Sequence, residues 1–188
     1  MLVSGLLMVP KPQPSGPSGP PGVHLVFFDG HSGTVLRETV GRLQKHSPEG
    51  VVLTANRTAT TLSTSLSRDG VAVDNLHFVD CISGLAGVRA SSHEKTLYVD
   101  SPSLLEKMAL RVDQAMRRGA GFLVVDCLST LAVHNGAPAV VEWTHGIVER
   151  ARRLGVPVAL LMASKHAEMA DELRLLCDET PAADWDAT

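Results

Sequence analysis

The sequence has little cysteine and no CxxC pair, which leaves it poorly equipped for a disulfide scaffold or a zinc site. Its three cysteines, Cys81, Cys127 and Cys177, are widely spaced and odd in number, as expected of a reduced cytoplasmic protein. The eight histidines are scattered without the spacing of metal ligands. There is no excess of basic residues: 17 Lys and Arg against 20 Asp and Glu leave a net charge of -3, without the positive footprint of a nucleic-acid binder. No apolar run approaches the roughly 18 residues that a membrane span requires. The opening MLVSGLLMVP is apolar but lacks the basic start and small-residue cleavage site of a secretory signal, so it is not read as one.

What is present is enough for one domain of ordinary size, able to bury about two thirds of its unfolded surface. Six of the eleven prolines fall in residues 1–22 among Gly and Ser. That segment offers too little apolar surface to offset its ordering entropy, and a disordered leader is expected there. A PxxP docking motif over Pro14–Pro17 or Pro17–Pro20 is the less favoured reading of a tail of this kind. The folded part is expected over 23–180, with a flexible tail over 181–188.

Strand and helix patterns alternate from Val23 onward, which predicts an α/β three-layer sandwich with a mostly parallel central sheet. Strands are expected at His24–Phe28, Val51–Thr54, Leu76–Val79, Thr96–Val99, Phe122–Val125 and Val156–Leu161. Between them, helical spacing runs from Thr34, placed to cap the first helix, and over about Thr58–Ser67. A long helix is expected from Ser101-Pro102, with Leu104, Leu105, Met108, Val112, Ala115 and Met116 facing inward. Another follows from about Pro138 to Leu154 after a turn at His134–Gly136, and a last one covers Lys165–Leu176. The segment Ile82–Ser92 is expected to be irregular.

The chain is organised around Gly121–Leu131, GFLVVDCLSTL. Four apolar residues without alternation predict a strand covered on both faces. The run ends at Asp126, with Cys127, Ser129 and Thr130 beyond it. A carboxylate at that end of a parallel strand stands where open α/β sheets place their ligands. It has the form of a Walker B strand, whose Asp helps to hold Mg²⁺ in nucleotide hydrolases.

With this order of elements the chain resembles the RecA-like ATPase core, and more narrowly its KaiC-like branch, over about residues 23–180. LVVDCLSTL stands at the Walker B position, GVPVALLM at the next strand, and LRLLCDET is similar to the ending of the family pattern. The resemblance implies a RecA-like fold, ATP with Mg²⁺ at Asp126, and a phosphate loop at Gly30, His31, Ser32, Gly33 and Thr34. That loop departs from GxxxxGK followed by Ser or Thr: it is about two residues short between its glycines and has no Lys. Where such relatives carry a catalytic Glu after the second strand, this chain has Thr54-Ala55-Asn56-Arg57. The expectation is therefore a non-catalytic or weakly catalytic domain that acts in regulation or signalling through protein partners, with self-association implied by the family and weak nucleotide binding. The alternative is a true ATPase with an atypical phosphate loop.

A rival reading uses the same loop. Gly30–Thr34 is one residue from the GxSxG nucleophile elbow, and Ser32, Asp126 and His166 follow the chain order of an α/β-hydrolase triad. The elbow requires several strands before it, whereas only the leader precedes this one. Among other polar residues, His24 and His77 fit strand interiors, and His134 is placed near the presumed cleft. Cys127 reads as a buried residue at a strand end. Trp143 is either core or a partner contact.

Overall fold

The computed structural model describes residues 22–87 and 95–178. The expectations for the leader, the tail and the chain over 88–94 lie outside these residues. Six strands form one sheet: β1 (Val23–Phe28), β2 (Gly50–Thr54), β3 (Leu76–Asp80), β4 (Thr96–Tyr98), β5 (Leu123–Asp126) and β6 (Val158–Ala163). Their order is β1-β6-β5-β2-β3-β4, and every pairing is parallel. Among the described residues the α-helices are α1 (Gly33–His46), α2 (Ala59–Arg68), α3 (Leu105–Met116), α4 (Leu128–Asn135), α5 (Ala137–Leu154) and α6 (Ala167–Arg174). Among the described residues no helix is long and apolar enough to cross a membrane.

Alternate strand residues point to opposite faces, and both faces are covered. On one side Val52, Val124, Ala159 and Leu161 pack under Leu36, Val40 and Leu43 of α1 and Leu62 and Leu66 of α2. On the other, Leu53, Leu123, Val125 and Leu160 pack with Met108 and Val112 of α3, Leu131 of α4, Ile147 of α5 and Leu173 of α6. A strand covered twice has no polar face, which is why β5 shows no alternation in sequence. The Phe122 ring lies where a Cβ on Gly50 would stand, 2.1 Å from its Cζ, so β2 begins with a residue that has no side chain.

Several local expectations are corrected. Ser32 and not Thr34 holds the N-cap position of α1, without a side-chain capping bond, and Thr34 is exposed inside the helix. α3 begins at Leu105, because Ser101–Leu104 form a turn: Leu104 N–H bonds the Ser101 carbonyl at 3.1 Å, and the Ser103 amide bonds the Ser101 hydroxyl at 3.1 Å. Leu104 is accordingly exposed and not part of the inward face. The stretch after Asp126 forms α4, which takes in His134 and Asn135 where the sequence predicts a turn over His134–Gly136. Its hydroxyl and β-branched residues hide a helix that Leu128 and Leu131 anchor in the core. Gly136, at φ 82°, separates it from α5. Gly155, at φ 67°, ends α5 in the left-handed conformation that glycine tolerates best. Pro157 lies just before β6, and its carbonyl accepts from Leu123 N–H at 2.9 Å. α6 is shorter at both ends than its apolar pattern suggests.

Candidate functional site

In this order of strands β2 connects outward toward β3 while β5 connects the opposite way toward β6, and their helices leave on opposite faces. Such a switch point opens a crevice at the carboxyl ends of the strands. Thr54 and Asp126 are register neighbours across it. The cleft has a volume of about 470 Å³ and is lined by Gly30, His31, Ser32 and Gly33 from the β1–α1 turn. Asn56 and Arg57 enter from the loop after β2, Cys127, Ser129, Thr130 and Val133 from the start of α4 onward, and Lys165 and His166 from the loop after β6.

Asp126 is fully buried at the end of a central strand. Its Oδ1 accepts from Asn56 Nδ2 at 3.1 Å, and its Oδ2 stands 3.6 Å from Arg57 Nη2. Neither Oδ2 nor Arg57 Nη2 has a close hydrogen bond, and both atoms are buried. Burial pushes the Asp126 carboxyl above its usual range. Hydrogen bonding from Ser32, the Arg57 guanidinium and the Asn56 amide act against that rise. Ser32, at the N-cap position of α1, makes no side-chain capping bond to the helix. The Asp126–Cys127 peptide is cis.

The surrounding polar groups hold this arrangement in place. Thr54 Oγ1 donates to the Arg57 carbonyl at 2.7 Å, which folds the loop after β2. Asn56 Nδ2 also reaches Cys127 Sγ at 3.3 Å, and its Oδ1 accepts from the Thr130 hydroxyl. Ser129 Oγ accepts from Ala163 N–H at 2.9 Å and ties the start of α4 to the end of β6. The Arg57 guanidinium lies over the first residue of α1, where a Cβ on Gly33 would be 3.5 Å from Nη1. Asp80, at the end of β3, is by contrast fully used: it accepts from the amides of Ala59, Ile82 and Ser83 and from the Ser83 hydroxyl, at 2.7–2.9 Å. That carboxylate holds two loops and faces no cleft.

These donors do not fit a Mg²⁺ ion at Asp126. Mg²⁺ takes about six oxygens in near-octahedral geometry, whereas one carboxylate oxygen is occupied by Asn56 and the other faces a guanidinium. A divalent ion on Oδ2 would stand within about 6 Å of a unit positive charge, a repulsion of several kcal/mol even at a surface-like dielectric. Among the described residues no cluster of three His, Cys, Asp or Glu could hold a metal.

Of the residues singled out in the sequence, Gly30, His31, Ser32 and Gly33 line the cleft, while Thr34 does not. Ser32, His166 and Asp126 are gathered at one end of the sheet but not as a triad. Ser32 lies close enough to Asp126 to act against the burial-driven rise of its carboxyl, and among the described residues no hydrogen bond joins His166 to either. Ser32 also lacks the strained backbone of a nucleophile elbow, at φ -66° and ψ -11°. His134 is exposed and off the cleft, and its neighbour Val133 lines it instead. Trp143 is core: it is buried, and its Nε1–H donates to the Leu105 carbonyl at 2.9 Å. His24 is buried within β1 and His77 half-buried within β3. Sequence reasoning missed Asn56, Arg57 and Lys165 as lining residues. The signal for the first two was present, a polar pair at the end of a strand, and it was read only as the place of an absent Glu.

No family model matches this chain, and no curated protein matches it. Among solved structures, a KaiC-like protein from the hyperthermophilic archaeon Pyrococcus horikoshii OT3 superposes with a TM-score of 0.54 at 15% identity. The match covers 78% of this chain and 63% of the other, so the chain spans less than two thirds of that protein's length. The architecture is thus the KaiC- and RecA-like α/β fold, with an all-parallel six-stranded sheet.

Proposed function

We propose that this chain is a KaiC-like RecA-fold domain that acts as a regulatory or signalling interaction module, with a cleft that binds a nucleotide weakly and does not turn it over. The observation that carries this is the state of Asp126. The loop after β2, where such ATPases carry their catalytic Glu, here sends Asn56 and Arg57 onto the acid itself. The turn between β1 and α1 is four residues long, Asp29–Ser32, and holds no Lys. Phosphoryl transfer depends almost wholly on positioned charge and an oriented water. This cleft has no carboxylate free to orient one. Weak binding survives because the start of α1, at Gly33, lines the cleft, and a helix N-terminus offers N–H groups to an anion. In this reading the module works through protein contacts, with self-association as the resemblance to RecA-like domains implies.

The test is phosphate release from Mg·ATP by the wild-type chain and by Asp126→Asn, each followed to long times. Equal rates at the level of the blank are expected. Release by the wild type that the substitution abolishes would overturn the reading in favour of an ATPase with an atypical phosphate loop.

A further inference from the structure

We propose that Arg57 is the resident cation of the cleft, so that a phosphate-bearing ligand binds there without a divalent metal. The inference rests on the reading of this cleft as a binding site without turnover, and adds how the ligand's charge is met.

Three observations support it. The lining contains Arg57, Lys165, His31 and His166 but no Asp or Glu, in a chain whose net charge is -3. Two basic side chains, Arg57 and Lys165, thus stand at this mouth with no acidic one, against the balance of the whole molecule. Arg57 is held at its base by Thr54 and stands between Asp126 and Gly33, with Nη2 buried and without a hydrogen-bond acceptor. A guanidinium has five N–H donors; Nη2 is turned to Asp126 at 3.6 Å, and the remaining donors of this partly exposed side chain are left for a phosphate. Finally, Asp126 is already matched to a positive charge, so a metal brought in with the ligand would meet Arg57 and not an open carboxylate. Lys165 and His166 line the same cleft from the loop after β6 and supply a second contact to an extended phosphate chain.

The experiment is calorimetric titration of the full chain with ATP and with inorganic pyrophosphate, in EDTA and in excess Mg²⁺, repeated on Arg57→Gln. Binding in EDTA is expected for both probes, weakened severalfold by excess Mg²⁺ because the ion masks phosphate charge. Arg57→Gln should weaken binding in EDTA by about tenfold or more. Binding that requires Mg²⁺, no binding at millimolar ATP in EDTA, or unchanged affinity in Arg57→Gln would each overturn the proposal. Should Arg57→Gln fail to fold, the metal comparison on the wild type decides alone. Mg²⁺-dependent binding without phosphate release would sink this inference and leave the non-catalytic reading intact, whereas Asp126-dependent release would sink that reading itself.

Discussion

The Asn56 amide donates a 3.1 Å hydrogen bond to Asp126 from 70 positions earlier in the chain, and Arg57 follows it toward the same carboxylate. The acid at the centre of the sheet therefore has its partners built in. They come from a loop that joins it only because β2 and β5 are neighbours.

The first prediction follows from the burial of that acid. Burial raises the Asp126 carboxyl above its unfolded value, so the native state holds its proton to higher pH than the unfolded chain does. Its cost to stability is absent below the ordinary carboxylate range, appears as pH rises through the folded value, and persists above it. Asp126→Asn has no such titration. The stability of the variant relative to wild type should rise from pH 4 to pH 7, read by urea denaturation at each pH. A difference that is flat or falls would contradict the burial argument.

Gly50→Ala tests the meeting of β2 and Phe122. The added Cβ would stand 2.1 Å from a fully buried ring, held in place by the core around it. Overpacking of this kind costs about 1–3 kcal/mol. The midpoint of denaturation should fall accordingly, while Gly41→Ala, where nothing lies within 4 Å of the new atom, should not lower it. Alanine also replaces glycine inside α1 there, which favours the helix by about 0.5–1 kcal/mol.

Ser129→Ala removes the acceptor for the Ala163 amide at the end of β6. A fully buried donor left without a partner costs about 1–3 kcal/mol, and this half-buried one is expected to cost about 1 kcal/mol. Thermal denaturation should show that loss, and hydrogen exchange should show faster exchange at Ala163 than at Leu160. Equal protection in variant and wild type would mean that the serine does not hold the strand end.

Cys81 should be inert. It is fully buried at the end of β3, and burial together with the neighbouring Asp80 pushes its thiol far up. Mass spectrometry after N-ethylmaleimide treatment at neutral pH should find Cys81 unlabelled in the native chain and labelled in urea. Cys177 is less buried and its thiol is also raised. It should label slowly, ahead of Cys81.

The strand at the centre was legible because a ribbon buried on both faces must be apolar at every position, and LVVD says so without help from the rest of the chain. The stop at Gly155 was legible because a left-handed residue is written as glycine. α4 was not, since its eight residues carry no amphipathic period: Leu128, Ser129 and Leu131 are buried while Val133 is exposed. Ser101-Pro102 carried a valid helix-start signal that a turn used instead, one turn too early. Of the cleft, the turn Gly30–Gly33 and Asp126 were visible in sequence, but their relation was not.

By itself the sequence determined the alternation of strands and helices, hence a parallel sheet under two helical layers, and a carboxylate at the mouth of an inner strand. Local pattern suffices for that, because apolar periodicity and turn chemistry act over a few residues. The order of the strands was decided only in three dimensions, and with it the placing of Arg57, Asn56 and Ser32 on Asp126, with His166 left unjoined to either Ser32 or Asp126. Such pairs depend on which distant segments become neighbours, and no window along the chain encodes that.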